Sequence, residues 1–319
     1  MIHGNLARLQ TALSPDGLLK AQDLTQIVAS SRLWPQPPAS LKPIQKEVVE
    51  INGNRYKVRV YPNAETAQRQ WEYLTEIKAT LFARCHGRIG RYLVLDYIPD
   101  GNSNGSVPTP HEIGLFLTAL AKEQTRASIK EDFDSWCTYI GNARIFLPRT
   151  IELFRRYHRL KLESLPVSSG LEYYDATPHN FITMGGGKLL AFDEKHLDVG
   201  PRGVSLVRPE HTMTAKDWSD TKETYSLKMG SAALLEDSEY RDFLRFYWCK
   251  RQIYWWSYRV AVGTDTKKML RFKRELLTII RRSRACSLRD KLSWELDYQY
   301  SGPWRVRLRV AIPRSRPNS

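Results

Sequence analysis

The 319-residue chain has little cysteine, and what it has is scattered. Cys85, Cys137, Cys249 and Cys286 stand far apart with no C-x-x-C pair, which argues against a zinc site and against a disulfide framework. No apolar run reaches the length of a membrane span, and Met1 to Lys20 lacks the apolar centre of a signal peptide, so a cytoplasmic chain is expected. Glycine is missing where a phosphate cradle would need it. Residues Ser31 to Gln45 read Ser-Arg-Leu-Trp-Pro-Gln-Pro-Pro-Ala-Ser-Leu-Lys-Pro-Ile-Gln, and proline supplies no backbone N–H to a phosphate. Acidic residues are scarce at the C-terminal end. Residues 267–319 hold 15 Lys or Arg against 4 Asp or Glu, a net of +11, whereas the preceding 266 carry 34 against 30.

What is present begins with Tyr173-Tyr174-Asp175-Ala176-Thr177-Pro178-His179-Asn180-Phe181-Ile182, followed by Lys188-Leu189-Leu190-Ala191-Phe192-Asp193-Glu194. Asp175 and Asn180 stand as D-x-x-x-x-N, a spacing at which one loop residue meets an acceptor hydroxyl while the amide five positions on faces a metal. The Gly185-Gly186-Gly187 turn between two apolar runs reads as a hairpin that delivers Asp193 at the end of a strand. Such turns and strand ends are common singly; their order within about twenty residues points to phosphoryl transfer.

Upstream, Val48-Val49-Glu50-Ile51 and Tyr56-Lys57-Val58-Arg59-Val60-Tyr61 flank Asn52-Gly53-Asn54, a hairpin signal in which Lys57 and Arg59 share one strand face. Ala67, Trp71, Leu74 and Ile77 then recur at helical spacing over 64–78, after Pro62 and a cap at Asn63. Helices are also expected over 110–125, 146–162 and 238–262, the last rich in aromatics that read as core.

These segments resemble the aminoglycoside phosphotransferase and choline kinase group of small-molecule kinases, whose pattern is H-G-D-x-x-x-x-N, an apolar strand and I-D-x-[DE]. Tyr173 and Tyr174 stand at the His and Gly positions, while Asp175, Asn180 and Asp193 match and Glu194 supplies a nearby second acid. The resemblance implies a protein-kinase-like α+β fold of two lobes, 1–98 and 99–319, that uses ATP and Mg2+. It makes Asp175 the catalytic base, Asn180 and Asp193 the metal ligands, and Arg59 the cation on the phosphates. Glu72 is the nearest acid to pair with Arg59, Gln70 standing where the family's Glu would be. Tyr92-Leu93-Val94-Leu95-Asp96-Tyr97-Ile98-Pro99 resembles the last strand and the hinge, which puts Asp96 and Tyr97 at the nucleotide.

A net charge of +15 is the wrong sign for concentrating a polycationic acceptor. An anionic sugar or glycan, or an acceptor at the inner membrane face, is expected instead. Arg281, Arg282 and Arg284, with Arg305, Arg307 and Arg309 among Trp294, Tyr298, Tyr300 and Trp304, suit anionic head groups. Nucleic acid is not indicated, because no recognition motif accompanies the charge. The missing glycine loop leaves a pseudokinase, a binding or regulatory protein, as the alternative.

Overall fold

The structure is a computed structural model and describes residues 10–15, 17–35, 44–77, 81–99, 107–123, 128–143, 145–184, 188–261 and 266–283, with Asp290, Glu295 and Asp297. The glycine turn 185–187 and the tail cations beyond Ser283 lie outside the described residues. Contacts divide the chain into two compact units, residues 1–126 with 170–233 and residues 127–169 with 234–319.

The first unit starts from the predicted hairpin. Strands β2 (Gln45–Ile51) and β3 (Asn54–Val60) pair with Ile51 opposite Asn54. Asn52 and Gly53 between them have φ of 53° and 75°, the left-handed pair that a two-residue hairpin loop demands and that Asn-Gly adopts most cheaply. With β1 (Thr11–Leu13), β4 (Cys85–Ile89) and β5 (Tyr92–Asp96) they form an antiparallel sheet of order β1-β4-β5-β3-β2.

Both faces of this sheet are covered. Helix α1 (Ala21–Ser30) places Leu24, Ile27 and Val28, one apolar stripe, in a buried cluster with Val49, Val58, Val60, Ile89 and Val94. Because side chains alternate along a strand, Val58 and Val60 in that cluster send Lys57 and Arg59 to the other face. Helix α2 (Ala64–Glu76) follows, capped by Asn63, whose side chain accepts from Thr66 N at 2.7 Å. Its buried positions are Ala67, Gln70, Tyr73 and Leu74, so the inward stripe takes in a glutamine where periodicity alone favours Trp71.

The rest of the unit builds a loop platform. Strand β6 (Ser169–Tyr173) pairs with β9 (Leu197–Pro201), and β7 (Phe181–Met184) pairs with β8 (Lys188–Ala191). Phe82, Phe116, Tyr173 and Phe181 meet edge-on at 4.9–6.1 Å beneath them. Helix α3 (Pro110–Lys122) packs on α7 (Ala215–Met229), after the short α6 (Val207–Thr212). Gly114 makes their approach possible, since a Cβ there would lie 2.7 Å from Thr224 Cβ.

The second unit is helical: α4 (Ile129–Asn142), α5 (Pro148–Ser164), α9 (Ser238–Ala261) and α10 (Thr266–Arg282), with α8 (Ala232–Glu236) at the boundary. Phe243, Phe246 and Trp248 of α9 are buried with Phe133 and Phe154, so these aromatics are core, as their spacing predicts. The fold is α+β, an antiparallel sheet followed by a mostly helical remainder.

Candidate active site

Asp175 enters the site from the loop after β6. The loop is fixed by Tyr174 N donating to His196 O at 2.9 Å and by Tyr174 Oη donating to Val199 O at 3.0 Å. Asn180 closes a single turn at Pro178–Asn180, and its amide nitrogen donates to Asp175 O at 2.8 Å and Asp175 Oδ2 at 3.1 Å. The D-x-x-x-x-N spacing therefore folds into a clamp on the aspartate. The other oxygen, Asp175 Oδ1, accepts from Arg208 Nε of α6 at 2.9 Å.

Asp193 follows β8 and opens a short turn over Glu194–His196. Its Oδ1 lies 3.3 Å from Arg59 Nη2, and its Oδ2 accepts from Lys195 Nζ. Burial alone would raise the carboxyl pKa, but His196, Arg59 and Lys195 together hold it far below the usual carboxylate range. His196 Nε2 stands 3.6 Å from Asp175 Oδ2 and 3.5 Å from Asp193 Oδ2, joining the two acids. Burial holds the imidazole pKa below its ordinary value, which keeps the ring neutral at pH 7.

Glu194 turns inward beneath them and is fully enclosed. Lys57 Nζ donates to Glu194 Oε2 at 2.8 Å and to Phe192 O at 2.9 Å. Arg59 Nε lies 2.6 Å from Glu194 Oε1, an ionic contact rather than an aligned hydrogen bond. Against burial, Arg59 and Lys57 hold the Glu194 carboxyl below its usual pKa. Gln70 of α2 completes the arrangement, its side chain donating to Glu194 O at 3.0 Å.

The structure thus brings Asp175, Asn180, Asp193 and Arg59 together. It does not bring Glu72 to them: Glu72 is exposed and accepts from Gln68 one turn away, so the acid that pairs with Arg59 comes from after β8 and not from the helix. Position 72 follows from helical phase, since 70 and not 72 points inward. Asp96 ends β5 and Tyr97 follows it, where Tyr56 is registered with Asp96 and Lys57 with Leu95. Their backbone N–H groups donate to Arg84 O and Arg55 O. Asp96 Oδ1 pairs with His86 Nε2 at 2.7 Å, and the Arg55 guanidinium covers the Tyr97 ring at 4.3 Å. Sequence reasoning passed over Lys195, His196 and Arg208. The first two were legible only as neighbours of Asp193, and Arg208, 33 residues beyond Asp175, left no local signal.

Magnesium prefers oxygen donors in an open octahedral set. Asp175, Asp193 and His196 are close enough to share an ion, their ligand atoms lying within 4.8 Å of one another. Yet both oxygens of both aspartates already carry N–H partners or cations: Arg208, Asn180, Arg59 and Lys195. Four cations, Lys57, Arg59, Lys195 and Arg208, face three carboxylates. As arranged, with these cations on its oxygens, the donor set does not fit a divalent ion.

No family model matches the sequence, and no curated protein is detectably similar to it. Solved structures do match. Choline kinase LicA from Streptococcus pneumoniae is similar with a TM-score of 0.54 at 15% identity, over 73% of this chain and 90% of that one. APH(2″)-IIa in its gentamicin complex is similar with a TM-score of 0.50 at 12% identity, over 84% of this chain and 97% of that one. The chain has the fold of these proteins. A kinase-like fold is thereby established.

Proposed function

We propose that the protein is a phosphotransferase that moves the terminal phosphoryl group of ATP to a hydroxyl of a small molecule or glycan. The observation that carries this reading is the meeting of Asp175, clamped by Asn180, with Asp193 and a surplus of cations, on a kinase-like fold. In the transfer, the acceptor oxygen forms a bond to phosphorus as the bond to ADP breaks, and the hydroxyl proton passes to an Asp175 oxygen. Arg59, 2% exposed, acts by fixing Asp193 and Glu194 beneath the phosphates, and the β5 end at Asp96 and Tyr97 borders the nucleotide base. Because Mg2+ does not fit the donor set as folded, no step is routed through it. The sheet residues within 1–98 take the nucleotide and the later residues the acceptor.

The cation surplus at the site and the net charge of +15 favour an anionic acceptor such as a phosphorylated sugar. Arg281 and Arg282, exposed at the end of α10, favour contact with an anionic membrane face. Among the described residues no helix is long and apolar enough to cross a membrane.

A second reading, a non-catalytic nucleotide-binding protein, is favoured by one contact: Arg208 occupies an oxygen of Asp175, the group that would take the proton. Asp175→Asn separates the two. Loss of the base should lower turnover by two or more powers of ten with nucleotide affinity nearly intact, about 3 kcal/mol or more on the barrier. ATP turnover that the substitution leaves unchanged would sink the enzyme reading.

A further inference from the structure

The four cations of the site divide by exposure. The Lys57 and Arg59 side chains are 8% and 2% exposed and lie against enclosed Glu194, whereas those of Lys195 and Arg208 are 25% and 34% exposed on Asp193 and Asp175. The inner pair cannot move without leaving Glu194 as a buried unpaired charge, at a cost of several kcal/mol. The outer pair can turn more readily, because a quarter to a third of each side chain is exposed.

Lys195 has the more informative position. Its ammonium sits on Asp193 Oδ2, the same oxygen that faces His196 Nε2 and completes the three-atom cluster with Asp175. An ammonium there supplies, on a side chain tethered two residues along, one of the two charges that a divalent ion would bring. Both Asp193 oxygens then carry a cation, since Arg59 holds Oδ1.

We propose that Lys195 is a built-in counter-ion standing where a divalent cation would otherwise bind, so that the site takes a polyphosphate chain without metal as Lys195 and Arg208 turn from their aspartates onto phosphate oxygens. The phosphate half of the proposal rests on the phosphotransferase reading; the counter-ion half does not. Three carboxylates against four cations leave the site one positive charge in excess, and this excess repels a divalent cation and attracts a polyanion. A metal enters only by displacing Lys195.

The test uses the full chain, two probes and two variants. Free Mn2+, followed by its paramagnetic resonance signal, should bind wild-type protein weakly and Lys195→Met at least about tenfold more tightly, a gain of roughly 1.4 kcal/mol from removing one adjacent positive charge. Lys195→Arg should behave as wild type, which separates charge from packing. Inorganic tripolyphosphate, measured by calorimetry in chelator, should bind wild type, should gain less than about threefold on adding Mg2+, and should bind Lys195→Met at least about tenfold more weakly without metal. Mn2+ that binds wild type and Lys195→Met equally would overturn the counter-ion assignment whatever the second probe does. Tripolyphosphate that binds wild type only with Mg2+ would overturn the metal-free half. If it binds no variant under either condition, the phosphotransferase reading fails with that half, and the Mn2+ result alone decides the rest.

Discussion

Arg59 and Glu194 are joined at 2.6 Å across the interior of the first unit, and neither side chain is more than 2% exposed. Lys57, two positions along β3, holds the other Glu194 oxygen. One carboxylate therefore bridges two enclosed cations and ties the strand to the turn that presents Asp193.

Removing that carboxylate should be costly. Glu194→Gln leaves Lys57 and Arg59 with only the partly shared Asp193 as counter-charge, and urea unfolding should show a loss of about 3–5 kcal/mol, the range for an orphaned buried charge. Glu72→Gln, on the exposed face of α2, should stay within about 0.5 kcal/mol of wild type. Equal effects at the two positions would contradict the assignment of Glu194 as the partner of the strand cations.

Protonation of His158 should make the helical unit sensitive to acid. The ring stacks on Phe133 at 3.9 Å, is hydrogen-bonded to Tyr247, and has its pKa pushed down to about 3 by burial and by Lys250 and Lys130. The unfolded chain takes up a proton near pH 6.5 that the folded chain refuses, so stability is fully present above that value and falls with pH toward 3. Between pH 6.5 and 5 the loss is roughly 2 kcal/mol, an upper figure from one proton over 1.5 pH units. His158→Gln keeps a hydrogen-bonding partner for Tyr247 and cannot titrate, so its unfolding free energy should fall by about 2 kcal/mol less than wild type over that interval. Parallel losses would exclude His158 as the cause.

The sequence carried the parts of this fold whose signals are local. Asn52-Gly53 specified a hairpin because both residues must adopt left-handed backbone, and Asn63 specified the start of α2 through its side-chain cap. The Asp175–Asn180 spacing and the strand before Asp193 were legible for the same reason. What was not legible depended on distance in the chain. Glu194 meets Lys57 across 137 residues and Arg208 meets Asp175 across 33, and neither pairing has a periodicity to betray it. Gln70 shows how the two interact. Its place on the helix was readable, but that it serves Glu194 through a backbone carbonyl requires the fold. Strand β1 and helix α1 escaped for another reason: β1 has only three residues, and α1 has Lys20, not a usual capping residue, at its N-terminal cap, with Lys20 N donating to Asp23 Oδ2 at 2.9 Å, although its Leu24, Ile27, Val28 stripe has helical spacing.

Gly200 offers a way to disturb Asp175 without touching a charge. A Cβ at this position of β9 would lie 2.3 Å from Tyr174 Oη and 2.9 Å from Val204 Cγ1, both inside the distance that real Cβ atoms keep. Tyr174 is wholly buried and anchored to Val199 O, so it cannot swing into solvent to make room. Accommodation must come from the loop that carries it, and the next residue in that loop is Asp175. Gly200→Ala should therefore cost about 1–3 kcal/mol of stability, the usual price of overpacking. It should also lower turnover about tenfold or more through displacement of the base, while nucleotide affinity changes little. Tyr174→Phe removes the clashing oxygen, so adding it to Gly200→Ala should restore a large part of both losses, as expected for residues in contact. Additive losses in the double variant would show that the strain is relieved away from Tyr174, and would separate β9 from the positioning of Asp175.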